Sequence, residues 1–388
     1  MRIVLIVPEY TIGMQRKVEY LCAEGCEVRQ VVSMRTHSIL TAPASDRRFA
    51  NHALVPVRVL RRQDPHRSML ASTLHWMRAF SPDVLAVEWD PDTLMALQAL
   101  IVRRMWAPRA KLVLHSWQNI PRALSRRVRF ILSRTLRAAD CILCANREGV
   151  SVLRGWGYRG RIVHQPWIGV DTALFYPRER AALRDKLRLR GFLVGYVGRL
   201  VPEKGLDQLI LALAQLPEDV HCVLVGGGNE RDRLKGLAAT RGLTSRVHFV
   251  GEIDHDSMPE YLSMFDTLVL PSRTTAVWKE QFGRVLIEGM ACRVPIVGSD
   301  SGAIPEVIGS AGLTFREGDI NNLAERLHAL YRSPELCGEL AQRGLEQATT
   351  TYSQAHIGAR LARVYRGLAF VQPDEECCMD ASSPGNQP

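Results

Sequence analysis

Apolar residues in this chain come in short runs bounded by polar turns, separated by longer stretches in which apolar positions return every three or four residues. The runs are RIVLIV, VRQVVSM, VLAVEW, KLVLHSW, CILCAN and RIVHQP in the first half, then FLVGYVG, HCVLVGG, VHFVGE, TLVLPS and VPIVGS in the second. Short near-continuous apolar runs suit strands buried on both faces, and the helical stretches between them supply the crossovers that parallel strands require. The rhythm predicts parallel α/β sheets. GVDTALFYP, with its Gly and Pro, followed by the charged RERAALRDKLRLRG, marks a connection between two domains near residues 171–192. The expected bounds are 1–172 for the first domain, 173–352 for the second, 353–371 for a last helix and 372–388 for a mobile tail.

Composition changes little in this picture, since 388 residues at 46% hydrophobic content suffice for two cores. No stretch reaches the roughly 18 apolar residues that span a membrane, and RIVLIV reads as a core strand rather than a leader. Nine cysteines without the spacing of a disulfide scaffold point to a reducing cytoplasm. Cys141-x-x-Cys144 falls in a strand-like run with no second ligand pair at zinc spacing, so small buried core residues are expected there.

Charge is more informative. The net charge is +10, but residues 1–176 hold 26 Lys and Arg against 13 Asp and Glu, and residues 177–388 hold 24 against 27. The basic residues crowd PRALSRRVRFILSRTLRAAD, residues 121–140, where Leu124, Val128, Ile131, Leu132 and Leu136 form one helical stripe among Arg122, Arg126, Arg127, Arg129, Arg134 and Arg137. Two readings stand: a solvated helix whose stripe is core, or a helix drawn to an anionic membrane surface, which would make the protein peripheral on the inner membrane face. No nucleic-acid-binding motif accompanies the charge.

The densest chemistry lies in WKEQFGRVLIEGMACRVPIVGSDSGAIPEVI, Trp278 to Ile308. Glu280 and Glu288 bracket the turn Gln281-Phe282-Gly283, which feeds an apolar helix whose N-terminal N–H groups favour a phosphate or a sugar oxygen. Glu288 then stands about 7.5 Å further along the helix. Carboxylates accept from paired sugar hydroxyls, so Glu280 suits a hexose and Glu288 a ribose. Upstream, VGYVGRLVPEKG breaks from a strand into a loop with Gly198, Arg199 and Lys204, two cations able to offset charge on a diphosphate. HCVLVGGGNERDRL adds Gly226, Gly227 and Gly228 at a strand-to-helix turn, without the G-x-G-x-x-G order of a dinucleotide fingerprint. Each of these alone also fits an ordinary solvated loop or helix.

In this order, G-R-L-x-x-E-K-G, the Gly-rich turn, V-G-E at Val250-Gly251-Glu252, E-Q-F-G-x-x-L-x-E and S-G-A-I-P-E-V-I resemble the GT4-type retaining glycosyltransferases. The likeness is strongest from Val194 to Phe315 and looser through VEWDPDTLMAL, SWQNIPR, CANREGVSVLRGWGYRG and WIGVDTALFYP. It implies a GT-B fold: two Rossmann-like domains facing across a cleft, the donor in the second, the acceptor in the first, and a C-terminal helix crossing back to the first. It further implies that Arg199 and Lys204 grip the donor diphosphate, Glu280 the transferred sugar with Phe282 and Gly283, Glu288 the ribose, and Val250 and Gly251 the base. His115, after KLVLH, stands where many relatives place a donor-contacting His, with a core histidine as the alternative. Glu88, Trp117 and Asn119 are acceptor-side candidates.

The implied reaction is retaining transfer from a nucleoside diphosphate sugar, a co-substrate rather than a cofactor, to a hydroxyl acceptor in polysaccharide or lipid-linked glycan synthesis. A GT-B-like epimerase or phosphorylase, or a catalytically silent nucleotide-binding scaffold, remains an alternative. The chain departs from the pattern at Gly13, left without the usual early glycine partner, at Arg293, where Gly usually follows Cys, and at Gly289, where Ala usually stands. Arg293 would strain the backbone if its φ is positive. Asp90-Pro-Asp92 and Asp254-His-Asp256 are spaced like carboxylates that hold a divalent ion, but they read instead as an Asp90 N-cap with Pro91 at the first helical position and a Ser257-x-x-Glu260 capping box. No essential metal is expected.

Overall fold

The structure is a computed structural model and describes residues 1–7, 12–33, 50–61, 64, 66–166 and 168–370, with backbone alone over 12–15. The expected tail, 372–388, and the loop before Gly13 lie outside the described residues. Gly13 falls in the first turn of helix Ile12–Ala23.

The chain builds two parallel sheets. The first runs in the order β3-β2-β1-β6-β7-β8-β9, with β1 Arg2–Val7, β2 Glu27–Ser33, β3 His52–Val57, β6 Val84–Val87, β7 Lys111–Ser116, β8 Cys141–Cys144 and β9 Arg161–His164. A two-stranded ribbon, β4 Val59–Leu60 with β5 Met69–Leu70, stands beside it. The second runs β12-β11-β10-β13-β14-β15, with β10 Phe192–Val197, β11 Val220–Val225, β12 Val247–Gly251, β13 Thr267–Leu270, β14 Ile296–Ser299 and β15 Gly312–Phe315. The apolar runs became strands because helices cover both faces: β6, β8, β13 and β14 are buried at every position.

Strand order reverses between β1 and β6 in the first sheet and between β10 and β13 in the second. Ligands of open α/β sheets bind at such points, outside the carboxyl ends of the strands. The loop carrying Arg199 and Lys204 leaves the end of β10, and the segment from Ser272 to Glu280 leaves the end of β13, so motifs about 80 residues apart meet at one switch point.

Helix Gln354–Phe370 returns from the second sheet to pack on helix Ile12–Ala23. Its Ile357, Leu361 and Tyr365 bury beside Ile3, Leu5, Val18 and Leu21 in one core cluster, each contributing about 1.5–3 kcal/mol. Where the chain makes this crossing, Val170 bridges Ser353.

Several local expectations need correction. Helix Leu94–Trp106 is capped by Thr93, whose side chain accepts from Ala96 N, and Asp90 instead accepts from Ser116 Oγ (2.9 Å) and Trp117 N (3.1 Å). Ser257 makes no side-chain capping bond; a short 3-10 turn, His255–Ser257, precedes helix Met258–Ser263. The basic helix spans Arg126–Ala138, so Leu124 lies before it, and Leu132 and Leu136 of the stripe are core.

Candidate active site

Gly283 takes φ +79° and opens helix Arg284–Ala291, presenting the helix N-terminus towards the loop. Phe282 is buried beneath it, its ring 6.2 Å from that of Trp117 across the cleft. Glu280 is 8% exposed. Its Oε2 accepts from Lys204 Nζ at 2.6 Å and from Ser272 Oγ at 3.1 Å. Its carbonyl accepts from Asn119 Nδ2 and from Ala303 N, each at 3.0 Å. One side of the cleft thus orients the backbone of a loop that belongs to the other. The Trp278 ring lies 4.8 Å from the Lys204 ammonium and completes the cation's surroundings.

Arg199 is largely exposed, its guanidinium 3.7 Å from Glu203 in the same loop. A long, exposed cation held only by a 3.7 Å contact to a half-buried partner gives up little when a phosphate arrives. Glu288 is buried one helical turn beyond Arg284, whose Nε lies 2.9 Å from its Oε1. Burial pushes the Glu288 carboxyl above its ordinary range, and Arg284 opposes the shift. Gly226 has φ +131°, and a Cβ there would stand 2.0 Å from the Gly198 carbonyl oxygen. The Gly-rich turn is therefore shaped by backbone packing against the loop that carries Arg199. Gly227 approaches the Glu252 carboxylate, which brings the turn against the Val250-Gly251 strand end.

Sequence reading did not single out four contributors. Ser272, closing TLVLPS, holds Glu280; Asn146 donates to the Gln281 carbonyl at 3.1 Å while capping its own helix at Gly149 N. Lys279 meets Glu148 at 2.5 Å, and Glu306 accepts from Arg147 N at 3.0 Å while lying 2.5 Å from His164. All but Ser272 cross between the sheets, and only the N-cap character of Asn146 had a local signal.

His115 and Glu88 lie elsewhere. His115 sits in β7, fully buried, with its pKa held well below the ordinary imidazole value by burial and then by Lys17. Glu88 follows β6 and forms a buried ion pair with Lys17, its carboxyl pushed up by burial while Lys17 opposes. Asp90 is pushed up to about 6 by burial and by Asp92, and Asp92 itself pairs with Arg122. Among the described residues no group of three or more His, Cys, Asp or Glu side chains is arranged to hold a metal ion. Cys141 and Cys144 are buried in β8 with both thiols pushed up to about 12 by burial.

Comparison with known proteins extends the picture. Residues 179–347 match the family model described as glycosyl transferases group 1. The alpha-D-kanosaminyltransferase of Streptomyces kanamyceticus is 32% identical over 50% of this chain and 49% of that protein. The GDP-mannose-dependent alpha-(1-6)-phosphatidylinositol monomannoside mannosyltransferase of Mycolicibacterium smegmatis is 29% identical over 74% of this chain and 77% of its own length. With several other curated relatives, as with the kanosaminyltransferase, the match spans about half their length. Among solved structures, a glycosyltransferase from Rickettsia africae superposes with a TM-score of 0.76 at 15% identity over 96% of this chain and 99% of that one. Anabaena HepE in complex with UDP gives 0.74 at 19% over 94% and 99%. At these identities the structural likeness speaks for the fold, while the family model speaks for the second domain: the chain has the GT-B fold, and its residues 179–347 match the glycosyl transferases group 1.

Proposed function

We propose that this protein transfers a glycosyl unit from a nucleoside diphosphate sugar to a hydroxyl acceptor, with retention at the anomeric carbon. The observation that carries the proposal is the Lys204–Glu280 pair at the mouth of the Gly283 turn, with the Glu280 carbonyl held from the opposite side by Asn119. Arg199 and Lys204 bind the diphosphate and stabilise the charge it gains as it departs. Glu288 takes the ribose, Val250 and Gly251 the base, and Phe282 and Gly283 the transferred sugar through backbone groups. Glu280 is tied through its carboxylate and its carbonyl alike, which suits holding the hexose better than forming a covalent bond to it. With two cations at the phosphate position, the reaction needs no divalent ion.

The second sheet's domain is the donor side, and the first, with Trp117 and Asn119 at the cleft, is the acceptor side. The GDP-mannose-dependent phosphatidylinositol monomannoside mannosyltransferase activity named for the Mycolicibacterium relative supports a sugar-nucleotide donor and a lipid-linked acceptor, and the Streptomyces relative's name supports glycosyl transfer. We place the activity in polysaccharide or lipid-linked glycan synthesis on the cytoplasmic side. Product analysis with and without acceptor tests it: a glycosylated acceptor formed only when both substrates are present is expected. Release of an altered sugar nucleotide or a sugar phosphate without acceptor would assign an epimerase or phosphorylase instead.

A further inference from the structure

Helices Leu94–Trp106 and Arg126–Ala138 pack side by side on the outside of the first sheet. Their inner faces, with Met95, Ala99, Leu132 and Leu136, belong to the core. Their outer faces are also apolar: Ile101 is 50% exposed, Met105 58% and Phe130 54%. Between the helices runs a groove of about 420 Å³ lined by Leu94, Leu97, Arg126, Arg127, Phe130 and Ile131, to which the arginines present only their methylene stems.

The charge around this apolar strip has one sign. From residue 93 to residue 139 the chain carries ten Lys and Arg and no Asp or Glu. Arg103 is committed to Ala110 O and Asp140, and Arg122 to Asp92. Arg126, Arg127, Arg129 and Arg137 are exposed and have no ion-pair partner among the described residues, and Arg134 lies over the Phe130 ring at 4.9 Å. Exposed large apolar side chains ringed by uncompensated guanidinium groups match a surface whose outer layer is anionic and whose interior is hydrocarbon.

We propose that this two-helix face docks on an anionic lipid bilayer. Phe130, Ile101 and Met105 enter the boundary between headgroups and acyl chains, an acyl chain seats in the groove, and the surrounding arginines pair with lipid phosphates. The N-termini of both helices lie at the carboxyl-end side of the sheet, as does the Trp117–Asn119 loop that touches Phe282 and Glu280. Docking there sets the acceptor side of the cleft beside the membrane. The partner is a bilayer rather than a nucleic acid because the arginines surround apolar side chains with only one exposed aromatic ring, where a single-strand binder interleaves stacking rings with its cations.

The test is flotation of the full chain with vesicles of phosphatidylcholine alone and of phosphatidylcholine with equal phosphatidylglycerol; it reads binding without turnover and so stands apart from the transferase proposal. Preferential binding to the anionic vesicles is expected, weakened about thirtyfold in the R126Q/R127Q double variant, at roughly a factor of five per cation, and about tenfold or more in F130S/M105S. All these side chains are exposed, so thermal midpoints close to the parent's confirm intact folding. Absence of vesicle binding, equal binding to neutral and anionic vesicles, or variants that bind like the parent would overturn the proposal. Binding of single-stranded RNA through the same residues with no vesicle binding would overturn it in favour of a nucleic-acid surface.

Discussion

The Lys204 ammonium and the Glu280 carboxylate lie 2.6 Å apart, although 76 residues separate them, with side chains only 15% and 10% exposed. Each neutralises the other in a pocket with little water, and each is at hand for a different part of a sugar nucleotide. Lys204→Ala should lower kcat/KM for transfer by about 10²–10³ by removing a preorganised cation from the departing diphosphate. It should also cost about 3 kcal/mol of folding stability, because the buried Glu280 carboxylate is left with Ser272 as its remaining side-chain partner. Steady-state kinetics and denaturant unfolding read the two effects separately.

Asn119 acts at a distance from the chemistry. Its amide holds the Glu280 carbonyl across the cleft, so Asn119→Ala should loosen the Glu280 loop without removing any donor-side side chain. A fall in kcat of about tenfold to a hundredfold, the scale of a 1 Å misplacement, with donor affinity close to the parent's by calorimetry, is the expected outcome.

Arg293 holds φ +58° in the turn after helix Arg284–Ala291. An L-residue is strained there and glycine is not. Arg293→Gly should raise stability by about 0.5–1 kcal/mol after the entropy glycine loses on folding, seen as a higher thermal midpoint with transfer activity kept.

The stacked His221 and His248, with ring nitrogens 3.0 Å apart, both have lowered pKa values, from burial first, then Arg246 for His221 and His221 itself for His248, with Asp219 opposing at His221. Because the folded state protonates them less readily than the unfolded chain, their contribution is intact above pH 6.5 and is lost as pH falls below it. Asp90, pushed up to about 6, works in the opposite sense and loses its contribution as pH rises through that value. Between pH 7.5 and pH 5.5 the His248→Gln variant should therefore lose less thermal stability than the parent, measured as the difference in midpoint at each pH.

What could be read from the sequence followed physical lines. The central strands were legible because burial on both faces makes them continuous apolar runs. β3 was not, because it is an edge strand interrupted by Pro56 and half exposed, and β15 was not, because it is a four-residue edge strand starting at Gly312. The turn at Gly283 and the helix behind it were legible from local chemistry. The Asp90 cap was misread because Thr93, three residues on, competes for the same role and wins. The Asn119–Glu280 and Asn146–Gln281 contacts join residues 161 and 135 apart, and nothing local in the chain announces such pairs.

The most direct test is thermal stability of the protein against a panel of UDP, GDP and ADP sugars, with Glu288→Ala and Lys204→Ala alongside. Binding to the folded state must raise its stability, by about 2.7 kcal/mol at a hundredfold excess over Kd. The account predicts a shift with one class of sugar nucleotide that disappears in both variants. A folded parent protein that no nucleotide sugar stabilises, or a shift that survives both substitutions, would contradict it.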